Sequence, residues 1–254
     1  MNEAKVYSRV ENGIGYVTFF HPQSNSLPGE ILRLLAAEIT KVGNDSDAKV
    51  IVLKSEGEKA FCAGASFDEL SAIDDIETGK IFFSGFANVI NAMRKAPKFV
   101  IARVQGKAVG GGVGLASAAD YTFATEAAAV KLSELAVGIG PFVVGPAVER
   151  KVGTSAFVQM TINATAWQNA YWAREKGLYN EVFKTTEELD KAIDDLALIL
   201  AKSNPEAMML LKKVFWEGTE NWDQLLMERA AMSGALVISN FTRNAIAKFK
   251  QGAR

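Results

Sequence analysis

The chain has 254 residues, of which 49% are hydrophobic and 22% are charged, so it is long enough and apolar enough to fold around a sizeable core. Its 28 basic and 29 acidic residues give a net charge of −1, which gives no support for a nucleic-acid or membrane-surface protein. The single cysteine excludes an intrachain disulfide, and the single histidine excludes multi-histidine metal sites. We therefore expect a cytoplasmic globular protein with neither a metal centre nor a membrane span.

The first half of the chain alternates strand and helix patterns. Runs of β-branched and aromatic residues predict strands over 14–20, 50–53, 99–104 and 121–124, and apolar residues at helical spacing predict helices over 30–41, 76–93 and 110–119. Repeated strand–helix units imply parallel strands joined by right-handed crossovers. Because the strands are short and apolar throughout, we expect helices to cover both faces of the sheet.

The second half is nearly all helical in its pattern from Pro146 onward. Candidate helices run over 155–161, 166–176, 189–202, 205–216, 222–233 and 239–250. We divide the chain into an α/β core, 1–190, and a helical C-terminal section, 191–254. Large apolar residues of this section must pack on the core, on a neighbouring subunit, or on both: Trp216, Trp222, Leu225, Leu226, Met227, Phe241 and Phe249.

Two glycine-containing segments follow predicted strands directly. They are 61–70 (FCAGASFDEL) and 105–114 (QGKAVGGGVG). Ligands of open α/β sheets bind beyond the carboxyl ends of strands, and glycine allows a backbone to approach a ligand closely. The run Gly110-Gly111-Gly112 also opens a helix whose first N–H groups lack intrahelical partners and suit an anion or a developing oxyanion. Tight helix–strand packing is the competing explanation of the triple glycine.

The two segments together resemble the oxyanion-hole segments of the crotonase, or enoyl-CoA hydratase/isomerase, superfamily. The turn Ser24-Asn25-Ser26-Leu27 is similar to its N-terminal Asn-small-Leu turn, and residues 161–183 are similar to its segment ending in Gly-Leu-Val-x-x-Val. The resemblance implies an α/β fold, a crotonase-like spiral of repeated ββα units with a helical C-terminal section. It also implies homotrimers or dimers of trimers, and an acyl-CoA thioester as substrate, with coenzyme A entering only as part of it.

The resemblance carries over to individual residues. The backbone N–H groups of Ala65 and Gly111 match the two oxyanion donors, and Ala63 matches a backbone position beside the CoA adenine. Glu134 matches the second of the two catalytic glutamates of hydratases. The positions that complete the expected substrate-binding segments are Gly64, Ser66 and Gly110.

The departures from the family pattern bear on the reaction. Gly114 occupies the position of the first hydratase glutamate, Ser66 replaces a common aspartate, and 140–145 (GPFVVG) replaces a Pro-Gly-x-Gly-Gly loop. The run 138–142 instead looks like that of mitochondrial-type Δ3,Δ2-enoyl-CoA isomerases, which work with one glutamate. Hydration needs both a base and an acid, whereas one carboxyl can move a proton from C2 to C4. We therefore prefer an isomerase; a 2-enoyl-CoA hydratase, a decarboxylase or other thioester chemistry, and a non-catalytic CoA-binding protein remain the alternatives.

Several other residues are weaker candidates. Asp68 and Glu69 are a possible second acid or helix-capping groups, while Asp120, Cys62 and His21 are interpreted as structural. The lysines considered for the CoA phosphates are Lys54, Lys59, Lys248 and Lys250. The residues expected either in an acyl pocket or in the core are Phe67, Phe82, Phe83, Phe86, Phe142 and Val143.

Overall fold

The computed structural model describes residues 3–252, and it describes side chains as far as residue 248. The strands are β1 (Lys5–Glu11), β2 (Ile14–Phe20), β3 (Val50–Ser55), β4 (Ala60–Cys62), β5 (Val100–Val104), β6 (Lys107–Val109), β7 (Tyr121–Thr125), β8 (Val130–Lys131) and β9 (Glu181–Phe183). The helices are α1 (Gly29–Asn44), α2 (Phe67–Ala72), α3 (Ile76–Lys95), α4 (Gly111–Ala118), α5 (Gly145–Ile162), α6 (Ala170–Glu175), α7 (Thr186–Ala201), α8 (Pro205–Phe215), α9 (Trp222–Val237) and α10 (Asn240–Gly252). No helix within residues 3–252 is long and apolar enough to cross a membrane.

The larger of two sheets has six strands in the order β1-β2-β3-β5-β7-β9. β1 and β2 form an antiparallel hairpin, and all other neighbours are parallel. Alternate residues of β3 enter two different cores: Ile51 and Leu53 pack with α1 and α3, while Val50 and Val52 pack with α7. Helices therefore cover both faces, which is why these strands read as continuous apolar runs.

The smaller sheet has three parallel strands in the order β4-β6-β8. Each follows a strand of the larger sheet, so that β3–β4, β5–β6 and β7–β8 are the strand pairs of successive ββα units. These short strands were not predicted, because two or three residues are too few to show the alternation of apolar and polar residues that marks a strand. Since the strands are parallel, their carboxyl ends meet at one edge of the small sheet, and the candidate site lies there.

The structure departs from the predicted elements at three further places. β1 was missed, although Asn12 and Gly13, both with positive φ, form the Asn-Gly turn that is a strong hairpin signal. α5 consists of two helical segments that meet at a kink at Gly153 (φ +75°, ψ 159°); the second contains the helix predicted over 155–161, and the first was not predicted. β9 interrupts the stretch predicted to be nearly all helical, and it completes the edge of the large sheet.

The C-terminal helices pack on the α/β part of the same chain. α9 lies against α3 at two glycines: a Cβ atom on Gly79 would lie 2.8 Å from the Cα of Gly234. Trp216, Trp222 and Leu226 are buried, so this part of the packing prediction is correct. Phe241 is 69% exposed, and the side chain of Phe249 lies outside the described residues. The boundary proposed after residue 190 falls within α7, and the two-part division stays a prediction.

A buried ion pair fastens α8 to the large sheet. The Asp120 carboxylate accepts hydrogen bonds from the amide of Val100 (2.7 Å), from Nε1 of Trp216 (2.7 Å) and from Nζ of Lys212 (2.5 Å). Lys212 also donates to the carbonyl of Met93 (2.9 Å). The pair is shielded from water, and burial lowers the pKa of Lys212 while Asp120 opposes that shift. Asp120, expected from the sequence to be structural, thus has three hydrogen-bond partners: Val100, Trp216 and Lys212.

Replacing Asp120 by alanine is expected to lower the free energy of unfolding by about 3–5 kcal/mol, because a buried lysine would lose its counter-charge. Urea denaturation measures this change. The control is Asp195→Ala, which breaks an exposed pair with Lys191 and should cost about 0–1 kcal/mol. Equal losses in the two variants would contradict the role given to Asp120.

Candidate active site

The turn at residues 24–27 holds the first glycine-containing segment in place. The side chain of Asn25 donates to the carbonyls of Glu56 (2.8 Å) and Ala60 (2.9 Å), which ties the turn to the start of β4. Leu27 donates to the carbonyl of Gly64 (2.8 Å) and accepts from the amide of Ser66 (3.3 Å). These two bonds involve Gly64 and Ser66, the neighbours of Ala65. Neither of them uses the amide of Ala65 itself.

The second segment brings another open amide beside the first. Gly111 is the first residue of α4, so its N–H has no acceptor within the helix. A Cβ atom on Gly64 (φ +87°) would lie 2.9 Å from the carbonyl oxygen of Val109 and 3.6 Å from the nitrogen of Gly111. The two backbones therefore touch, and only glycine at position 64 permits this approach.

Glu134 follows β8 and lies at the start of a 3-10 turn, Leu135–Val137. Its carbonyl accepts from the amides of Val137 (3.1 Å) and Ile139 (3.0 Å), which closes the turn. Gly138 leaves the turn with φ +83°, and its carbonyl accepts from Oγ1 of the buried Thr242 on α10 (3.1 Å). The C-terminal helix therefore fixes the loop that carries the acid.

The Glu134 carboxyl is buried beside the second segment. A Cβ atom on Gly110 would lie 2.9 Å from its Oε1, so the carboxyl packs directly against the residue before Gly111. Its Oε2 is buried and has no hydrogen-bond partner among the described residues. Burial raises the pKa of Glu134 to about 7. Such a group takes up and releases a proton readily near neutral pH.

One cavity joins these groups. Its volume is about 590 Å³ including the open mouth. Its walls contain six of the seven predicted site residues: Ala63, Gly64, Ala65, Gly110, Gly111 and Glu134. The seventh, Ser66, is not on the wall; it begins α2, where its Oγ accepts from the amide of Glu69 (3.4 Å). Of the apolar candidates, Phe82 lies in the core, and those on the wall are Phe67, Phe83, Phe86, Phe142 and Val143.

The position expected for a first hydratase glutamate faces a packed valine. A Cβ atom on Gly114 would lie 2.4 Å from Cγ1 of Val144, so Val144 fills the space that a side chain there would need. Glu69 is turned away and accepts from the amide of Gly29 (2.7 Å), and Asp68 accepts from Nε2 of Gln23 (3.0 Å). Glu134 is the one acidic residue among the described residues that line the cavity.

The other candidates lie off the cavity wall. Cys62 is buried, and burial raises the pKa of its thiol to about 12, so it is not a nucleophile at neutral pH. His21 accepts from the amide of Gln23 through Nδ1 (3.3 Å) within its turn. Of the lysines considered for the CoA phosphates, three do not line the cavity: Lys54, Lys59 and Lys248. The side chain of the fourth, Lys250, lies outside the described residues. The described residues contain no group of three or more potential metal ligands.

Sequence reasoning missed two residues that shape the site. Val144 was seen only as part of an atypical loop, and Thr242 was not considered at all. Nothing near either residue in the sequence connects it with Gly114 or Gly138, because each contact joins positions far apart along the chain.

Replacing Glu134 by glutamine is expected to stabilise the fold more at pH 8 than at pH 5. The folded protein holds this proton up to a pKa of about 7, against an ordinary value of 4.5, so stability is lost as the pH rises between these values. At roughly 1.4 kcal/mol per pKa unit, full ionisation costs about 3 kcal/mol. Urea denaturation at the two pH values measures the difference, with the exposed Glu30→Gln variant as control. A gain that is the same at both pH values would contradict a buried, proton-holding carboxyl.

Comparison with known proteins places this chain in a family. A model of the family described as enoyl-CoA hydratase/isomerase matches residues 9–249. The chain is 30% identical to the short-chain-enoyl-CoA hydratase of Clostridium acetobutylicum over 214 residues, covering 83% of this chain and 80% of the relative. It is also 30% identical to the mitochondrial methylglutaconyl-CoA hydratase of Mus musculus over 200 residues, covering 77% of this chain and 63% of the relative.

Solved structures agree with the sequence match. The enoyl-CoA hydratase from Bacillus halodurans superposes with a TM-score of 0.88 over 96% of this chain and 99% of that chain, at 20% sequence identity. That likeness shows the fold, and it confirms the expected crotonase-like arrangement of ββα units followed by helices. The chain is an enzyme of the enoyl-CoA hydratase/isomerase family, within the crotonase superfamily.

Proposed function

We propose that this protein is an enoyl-CoA isomerase that moves a double bond from C3 to C2 of an acyl-CoA thioester, with Glu134 as its one proton carrier. The observation that carries the proposal is the pairing of a single buried acid with the amides of Ala65 and Gly111 on one cavity wall. CoA itself would lie along the backbone of Ala63, Gly64 and Gly110, where small residues permit close contact.

The mechanism needs one base that becomes one acid. The ionised carboxylate of Glu134 removes a proton from C2, and the C–H electron pair forms a C1–C2 double bond while charge moves onto the thioester oxygen. The charge then returns: the oxygen re-forms the carbonyl, the C1–C2 pair shifts to C2–C3, and the pair of the original C3–C4 double bond takes the proton from Glu134 at C4. The acid is regenerated as the base, so no second carboxyl is required.

The two amides stabilise the enolate between these steps. Donors aimed at a developing oxyanion are worth about 3 kcal/mol each in other enzymes. The amide of Gly111 also stands at the amino end of α4, where the helix dipole favours negative charge. Since both donors belong to the backbone, changes of side chain do not remove them.

Hydration of 2-enoyl-CoA is the second candidate, because the relative from Clostridium acetobutylicum is named a hydratase. Water addition needs a group to activate water as well as one to protonate carbon, and Val144 fills the space at Gly114 where a second carboxyl would belong. Incubation with 3-enoyl-CoA and with 2-enoyl-CoA separates the candidates. Conjugation of the first supports isomerisation, 3-hydroxyacyl-CoA from the second supports hydration, and CoA binding without either product supports another thioester chemistry or a non-catalytic protein.

Assembly into trimers, or dimers of trimers, in the cytoplasm belongs to the same proposal. Exposed apolar side chains on α8 support association with further copies of the chain: Leu210, Leu211, Val214 and Phe215. Contiguous exposed apolar surface of this kind is typical of contact sites between proteins.

Replacing Glu134 by glutamine is expected to lower the isomerisation rate by about 10²–10⁴-fold, because the proton carrier is lost while the shape of the side chain is kept. The rate is followed by the absorbance of the conjugated product. Glu69→Gln, beyond the cavity wall, is the matched control and should keep activity within about threefold of the parent. Near-parental turnover by the Glu134 variant would refute the proton-carrier role.

Introducing a glutamate at position 114 tests the part played by Val144. Gly114→Glu alone is expected to be poorly folded, since its Cβ would lie 2.4 Å from Cγ1 of Val144. The double variant Gly114→Glu/Val144→Gly should regain a cooperative melting transition and hydrate 2-enoyl-CoA at least tenfold faster than the parent. A single variant that melts at the parental temperature would show that Val144 does not occupy this space.

A further inference from the structure

Most of the side chains on the wall of the cavity are apolar. α3 contributes Phe83 and Phe86, and the loop after Glu134 contributes Ile139, Phe142 and Val144. The ring of Phe86 lies against Gly111, where an added Cβ would be 2.1 Å from its Cε1, and the ring of Phe142 lies in the same way against Gly140. These rings pack on backbone, so their positions are fixed by contacts rather than by polar bonds.

Polar side chains on the wall are few and carry no positive charge. They are Ser133, Glu134 and Ser233. The hydroxyl of Ser233 donates to the carbonyl of Arg229 in its own helix (3.3 Å). No lysine, arginine or histidine occurs among the described residues that line the cavity. An anionic group in this space would therefore find no counter-charge.

We propose that the cavity selects uncharged, apolar acyl groups and rejects acyl groups that end in a second carboxylate. The inference rests on the proposed function, because it assumes that an acyl-CoA occupies the cavity. Two physical effects act in the same direction. A carboxylate moved from water to this largely apolar wall loses its hydration without gaining a counter-charge, and it meets the negative charge of ionised Glu134 in a poorly screened space.

Binding of three non-reactive thioesters to the wild-type protein tests this selection. Butyryl-CoA reports whether a simple acyl-CoA binds at all. Glutaryl-CoA and 5-methylhexanoyl-CoA have the same arrangement of heavy atoms in the acyl chain, but the first ends in a carboxylate and the second in two methyl groups. Titration calorimetry at pH 8, with free CoA as reference, gives the dissociation constants.

The expected result is at least tenfold tighter binding of 5-methylhexanoyl-CoA than of glutaryl-CoA. Equal affinities, or a preference for glutaryl-CoA, would overturn the inference and leave the proposed function intact. Butyryl-CoA that binds no better than free CoA would instead refute the proposed function, and the inference with it.

The Glu134→Gln protein separates the two effects. It keeps the apolar wall but loses the negative charge, so the preference for the methyl-ended chain should shrink without disappearing. A preference that vanishes entirely in this variant would contradict the part assigned to the wall.

Discussion

The parallel alignment of β4, β6 and β8 is the constraint on which the site depends. Their carboxyl ends deliver, in order, the Ala63–Ala65 backbone, the Gly110–Gly111 backbone and Glu134. Side-by-side strands lie about 5 Å apart, so neighbouring ends bring groups that are far apart in sequence within reach of one small molecule. The six-stranded sheet supplies the rigid base, because each short strand follows directly from one of its parallel strands.

Burial of Glu134 affects both the chemistry of the site and the stability of the folded protein. The apolar cavity raises the pKa of the carboxyl to about 7, which places the acid and its conjugate base close in free energy at neutral pH. The same burial leaves Oε2 without a hydrogen bond among the described residues, and this weakens the folded state once the group ionises. Costs of this kind concentrate at functional sites, and the surrounding structure compensates for them. Here the packing of α3 against α9 anchors two helices that line the cavity.

The sequence predicted those features that depend on neighbouring residues. The apolar strands of the large sheet and the helices α1 and α3 carry clear periodicity, and the glycine-containing segments mark the ends of strands. The two- and three-residue strands of the small sheet carry no such signal, and their existence depends on pairing between distant segments. For the same reason the contact of Gly114 with Val144 and the bond from Thr242 to Gly138 were beyond prediction. Ser66, expected at the substrate, has its side chain at the N-cap of α2, a position that its resemblance to a family motif does not reveal.

A crystal structure of the protein with a bound non-reactive acyl-CoA tests the proposed site most directly. We expect the thioester oxygen within about 3.2 Å of the backbone nitrogens of both Ala65 and Gly111, with the Glu134 carboxyl beside C2 and C4 of the acyl chain. A thioester oxygen bound by other groups, or a Glu134 carboxyl remote from those carbons, would contradict the proposed site.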